Sequence, residues 1–168
     1  MKLNSFHKVA AAVAILAFAA SPSTVDAGSA SGTAGATIEK ALTVTQSILM
    51  NFGRVEAPAT GSGTVVLDTS DGTTDTSVTR LSGGTAASGA FTLAGSTSAA
   101  YTVSAIADTT ISDGTTTLGV TAFNTSPSSG SLDGSGAGSI AVGATLTVPS
   151  TATNGTYTGT YAMTVNYN

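Results

Sequence analysis

The sequence has 168 residues, of which 8% are charged, with a formal net charge of −4, one histidine and no cysteine. That inventory excludes disulfide staples and thiolate zinc sites. With so few basic residues, no patch is available to neutralise the phosphates of a nucleic acid.

At the N-terminus, Lys2 and Lys8 flank the start of an unbroken apolar run, Val9–Ala20, followed by Ser21-Pro22-Ser23 and the small residues around Ala27. This is the pattern of a cleavable signal peptide over residues 1–27. The run of about a dozen residues is shorter than the roughly 20 that span a bilayer, so no retained membrane anchor is expected. Export to the periplasm, the cell surface, a fimbria or the medium follows from that reading. Residues 28–168 lose His7 and keep Lys40, Arg54 and Arg80 against eight carboxylates, a net charge of −5. That length suits one domain.

Residues 28–35 (GSASGTAG) read as a flexible leader, with a single β-sandwich domain over 36–168. In Ala36–Thr45 the residues Ala36, Ile38, Leu42 and Val44 fall on one face, which is the alternation of a strand. Further strands are expected at Ile48–Val55, bent at Gly53, then at Gly63–Asp68, Ser77–Leu81, Gly89–Ala94 and Ala100–Ile106. Thr116–Phe123, Gly138–Val148 and Thr156–Tyr167 complete the set. Turn signals separate them at Asp71-Gly72, Gly83-Gly84, Asp113-Gly114, Asp133-Gly134 and Asn154-Gly155. Short strands at this spacing, with no helical period between them, define an all-β chain: an immunoglobulin-like, pilin-like antiparallel β-sandwich. The last strand is the most regular. Tyr157, Tyr161, Met163, Val165 and Tyr167 share an apolar face opposite a hydroxyl-rich one. Aromatic residues placed so are read as core rather than as a carbohydrate-stacking ladder.

Chemistry-bearing motifs are sparse. Without Cys or His in residues 28–168, no Ser-His-Asp or Cys-His constellation can form. There is no phosphate loop and no dinucleotide fingerprint. A carboxylate pair of the glycosidase kind is the remaining option, but most carboxylates sit in or near turns, several beside glycine, where aspartate serves local hydrogen bonding. Three carboxylates in Asp68–Asp75 invite a calcium reading, yet the spacing misses the calcium-loop pattern, and a solvated hairpin loop is preferred. Asn124-Thr125-Ser126 and Asn154-Gly155-Thr156 match glycosylation sequons and are read as turn chemistry. No catalytic residue, cofactor or metal site is expected.

The remaining signal concerns sheet edges. The even-numbered residues Ala30, Gly32, Ala34, Ala36 and Ile38 keep one apolar, mostly small face. Such a segment can lie along an open strand edge of a neighbouring subunit, or pair within its own domain. Both readings stay open from the residues alone.

Asn154–Asn168 (NGTYTGTYAMTVNYN) resembles the closing strand of chaperone–usher fimbrial subunits, with Gly155 and Tyr167 at the positions of their glycine fourteenth from the end and their penultimate tyrosine. The combination of ALTVT, MNFG, GTVVLD and the GTYTG strand also resembles a family of exported bacterial β-sandwich proteins known only as a domain of unknown function. The spore coat U type pilins look like more distant relatives. The fimbrial resemblance implies a non-enzymatic surface or fimbrial structural subunit. Its partners would be identical or related subunits and a periplasmic chaperone and usher. The candidate subunit-interaction residues are Ala36, Ile38, Leu42 and Val44 on the donor side. On the acceptor side they are Gly155, Tyr157, Tyr161, Met163, Val165 and Tyr167. The alternative is a monomeric secreted module that binds a ligand such as a surface glycan through its loops.

Overall fold

The computed structural model describes residues 27–168; the expected signal peptide, apart from Ala27, lies outside the described residues. Residues 27–36 are exposed and carry no secondary structure. Thr37–Asn168 forms one compact unit. That unit is all-β, with no helix among the described residues and every pairing antiparallel, in a sandwich-like arrangement.

Among the described residues there are twelve strands: β1 (Thr43–Ile48), β2 (Val55–Glu56), β3 (Ser62–Leu67), β4 (Thr73–Thr76), β5 (Thr79–Arg80), β6 (Gly89–Ala94), β7 (Ala100–Val103), β8 (Thr109–Ser112), β9 (Thr117–Ser126), β10 (Ser129–Ser131), β11 (Ala137–Pro149) and β12 (Val165–Tyr167). The large sheet has the order β1-β6-β11-β3-β4, with β9 and then β8 on the other side of β11. A second sheet has the order β10-β7-β12, and β2 pairs with β5 in a small third one.

Strand β11 organises the large sheet. Its first half pairs with β6, from Ala137↔Ala94 to Val142↔Gly89, and its second half pairs with β3, from Ala144↔Leu67 to Pro149↔Ser62. Strand β9 takes the opposite edge, from Ala141↔Ser126 to Leu146↔Val120. Alternate residues Ile140, Val142, Ala144, Leu146 and Val148 turn inward and are buried, as the pleat of a strand requires. The core follows the two halves of β11. Val65, Leu67, Leu118, Val120, Leu146 and Val148 gather around Phe52 in one cluster. Leu93, Tyr101, Val103, Leu132, Ile140 and Val142 form the other.

Three hairpin turns use one device. Asp68 Oδ1 accepts hydrogen bonds from the amides of Ser70 and Gly72 between β3 and β4. Asp113 Oδ1 accepts from Thr115 and Thr116 between β8 and β9. Asp133 Oδ1 accepts from Ser135 and Ala137 between β10 and β11. Each carboxylate thereby satisfies backbone donors that the tight turn leaves unpaired. The amides of Thr116 and Thr115, with the Thr153 hydroxyl, hold Asp113 down to a pKa of about 2. The amide and hydroxyl of Ser88 lower Asp71, and the hydroxyl and amide of Ser135 with the amide of Ala137 lower Asp133.

Several expected elements differ. The strand expected at Ala36–Thr45 begins only at Thr43, because Ala36 and Ile38 have no pairing partner among the described residues. Ile48–Val55 is not a strand: after β1 the chain makes one isolated bridge, Asn51↔Ala87, and turns at Gly53 with φ of 80°. The regular closing strand expected over Thr156–Tyr167 pairs fully only at β12, with a single bridge at Thr158↔Ser112. Strands β4, β8 and β10 were not expected at all, being short and rich in Thr and Ser.

Two outcomes follow. Leu67 is fully buried, so Leu67→Ala lowers the unfolding free energy in urea by about 2–5 kcal/mol. The depressed carboxylates contribute stability that is present above their unfolded pKa of 3.8 and lost as pH falls. For Asp113 that loss runs down through its folded-state pKa of about 2. Thermal melts between pH 4 and pH 2 therefore show a falling midpoint, and Asp113→Asn flattens that slope.

Candidate functional site

Strand β1 is an edge strand: among the described residues it pairs with β6 and with nothing on its other side. Strand β12 is likewise an edge of the second sheet. Between these two free edges the sandwich stays open.

The register shows where covering is missing. Val44 pairs with Leu93 and Gln46 with Phe91, so all four side chains lie on the inward face of the large sheet. Leu93, one strand in, is 2% exposed, whereas Val44 on β1 is 37% exposed and Gln46 is exposed as well. The inward face of β1 is thus left uncovered among the described residues. The sheet β10-β7-β12 has three strands, against seven in the large sheet.

The chain segment beside this gap is also unpaired. Thr158 bridges to Ser112, and Ser104 donates its amide to the Thr164 carbonyl at 2.9 Å. Among the described residues, Gly159–Met163 in between makes no backbone–backbone hydrogen bond on either side. Only the Thr160 carbonyl is engaged, accepting from the Thr109 hydroxyl at 3.0 Å. An opening of about 200 Å³ lies between Gln46, Leu49, Met50 and Phe91 on one side and Gly159–Tyr161 on the other.

A clasp closes one end of the gap. The Tyr167 hydroxyl donates to the Lys40 carbonyl at 2.9 Å and accepts from the Ser96 amide at 2.8 Å. The Lys40 amide in turn donates to the Ser96 hydroxyl at 2.6 Å. Gly95 permits this, since a side chain there would collide with the Tyr167 hydroxyl. The clasp ties the end of β12 to the root of β1.

The structure brings together Leu42, Tyr161, Met163, Val165 and Tyr167, which pack on the same core cluster. Val44 sits at the rim of the gap. Tyr157 joins the other cluster, with its hydroxyl donating to the Thr153 carbonyl, and Gly155 lies in an exposed loop beside Asp113. Ala36 and Ile38 are exposed, Ile38 at 92%. Leu42 and Val44 therefore belong to their own domain, and a donor segment can extend only up to the clasp at Lys40. Sequence reasoning missed Gln46, Met50, Phe91 and Phe123, which line or back the gap. The strand expected at Gly89–Ala94 contains Phe91, but nothing in the sequence marked it as lining a gap.

In the Asp68–Asp75 loop each carboxylate has its own task. Asp68 holds its turn, Asp71 accepts from the amide and hydroxyl of Ser88, and Asp75 pairs with Arg80, which also donates to the Phe52 carbonyl. No group of three potential metal ligands occurs among the described residues.

A β-sandwich with two facing free edges is thus the class of domain this chain forms. It belongs to the family DUF4402, described as a domain of unknown function, whose model matches residues 42–167. No curated protein and no solved structure matches it.

The clasp gives a direct test of its own. Tyr167→Phe removes two neutral hydrogen bonds, so stability falls by about 1–2 kcal/mol. Hydrogen exchange at the Ser96 and Lys40 amides rises with it, while exchange in β11 follows only the global loss.

Proposed function

We propose that this protein is a non-enzymatic, exported structural subunit of a surface or fimbrial assembly, joined to identical or related subunits by strand addition. The observation that carries the reading is the uncovered inward face of β1, with Val44 and Gln46 exposed beside the buried Leu93. An added strand between β1 and Gly159–Tyr167 would cover that face and supply main-chain partners to Gly159–Met163, which has none among the described residues. Burying the exposed apolar atoms and pairing the free edge act in the same direction.

A donor of suitable length is present. Gly28–Glu39, the leader up to the clasp, reaches at most about 40 Å when extended. The edge from Tyr157 to Tyr167 is about 35 Å long at most. The resemblance of Gly155 and Tyr167 to the closing-strand positions of fimbrial subunits supports the same reading. Recognition would need no cofactor, because main-chain hydrogen bonds and alternate side chains supply it. A periplasmic chaperone would be expected to occupy the same gap before assembly.

The test compares purified chains spanning residues 28–168 and 40–168. Ladders on a denaturing gel that survive without heating, collapse on boiling and vanish for residues 40–168 are the expected result. Folded monomers from both chains would overturn the proposal and favour a monomeric binding module.

A further inference from the structure

The floor of the gap is already filled by the chain's own aromatic residues. The ring of Tyr161 crosses from the free-edge segment toward the large sheet, meeting Phe91 edge-on at 6.1 Å and Phe123 at 5.2 Å between centroids. It reaches that far because position 89 carries no side chain; a Cβ on Gly89 would collide with the Tyr161 hydroxyl. That hydroxyl is buried without a hydrogen-bond partner, and burial pushes its pKa up. Packing of the ring therefore holds Tyr161 in place, against the desolvation cost of its own hydroxyl.

A strand laid beside Gly159–Met163 turns every second side chain toward this floor. Large side chains would meet the rings of Tyr161 and Phe91 and overpack the site. Small ones let the incoming backbone approach the unpaired carbonyls and amides. The leader has that pattern: Ala30, Gly32, Ala34 and Ala36 alternate on one face, and Ile38, 92% exposed, ends the row.

We infer that the occupant of the gap is residues 30–38 of a second copy of this chain, with the small-residue face down. Tyr161 supplies the bulk that this strand lacks and is the residue that sets which side chains the groove accepts. The inference rests on the strand-addition reading and adds to it the partner and the size rule. A donor carrying a row of large apolar residues is rejected by the same ring that accepts alanine and glycine.

The experiment uses residues 28–168 and follows the temperature at which the ladders dissociate. Ala30→Leu, Ala34→Leu and Ala36→Leu, made singly, leave the sandwich untouched and are expected to lower that temperature. Tyr161→Ala lowers it by about 10 °C, and at least one leader leucine combined with Tyr161→Ala restores it. Tyr161→Phe keeps the ring and leaves the ladders as heat-resistant as the parent's. Residues 40–168 carrying Tyr161→Ala, followed by circular dichroism, report whether that variant folds. Should it not fold, the leader variants alone decide. Leader leucines that raise the dissociation temperature or leave it unchanged overturn the size rule while assembly stands. Ladders that form only when a different protein is added overturn the choice of partner. Absence of ladders from the parent chain itself overturns strand addition, and this inference with it.

Discussion

The structure depends on the main-chain pairing of one thirteen-residue strand, β11, along both of its edges. Strands β6 and β3 lie end to end on one edge, and β9 spans their junction on the other. In a chain without disulfides, this overlap is what joins two core clusters that share few side chains. Gly143 sits at the junction, where a Cβ would collide with the Leu67 carbonyl. The backbone approach that lets β3 follow β6 along one edge needs that absence of bulk.

Anchoring the sheet at its centre leaves its margins to local chemistry. Three of the hairpins are held by aspartates, Asp68, Asp113 and Asp133, that accept turn amides. Arg80 does comparable work at the small sheet, joining Asp75 to the Phe52 carbonyl. Turns fixed in this way set strand register, and register decides which side chains face inward. It is register that places Val44 and Gln46 on an inward face with nothing above them.

The open gap follows from unequal sheets. The large sheet extends through β6 to β1, whereas the opposing sheet stops at β12, and the segment before β12 is left without backbone partners. Tyr161 and Tyr167 limit the consequences from the two ends. One fills the floor of the gap with its ring, and the other clasps the root of β1 through its hydroxyl. Between them they leave an edge that is partly closed sterically and open in hydrogen bonding.

The sequence by itself determined the all-β class, most of the turn positions, and the inward face of the closing segment. Each of those is a local matter of period-two alternation or of Asp and Gly in a turn. Tyr161, Met163, Val165 and Tyr167 were legible as core because alternation puts them on one side whatever the partner is. Only the tertiary structure decided that the segment bearing them is unpaired through Gly159–Met163, that the first strand starts at Thr43 rather than Ala36, and that Phe91 and Met50 border a gap. Pairing is a property of two strands at once. A sequence shows which face a residue takes, but whether another strand lies over that face depends on sheet order and width, which no local pattern encodes.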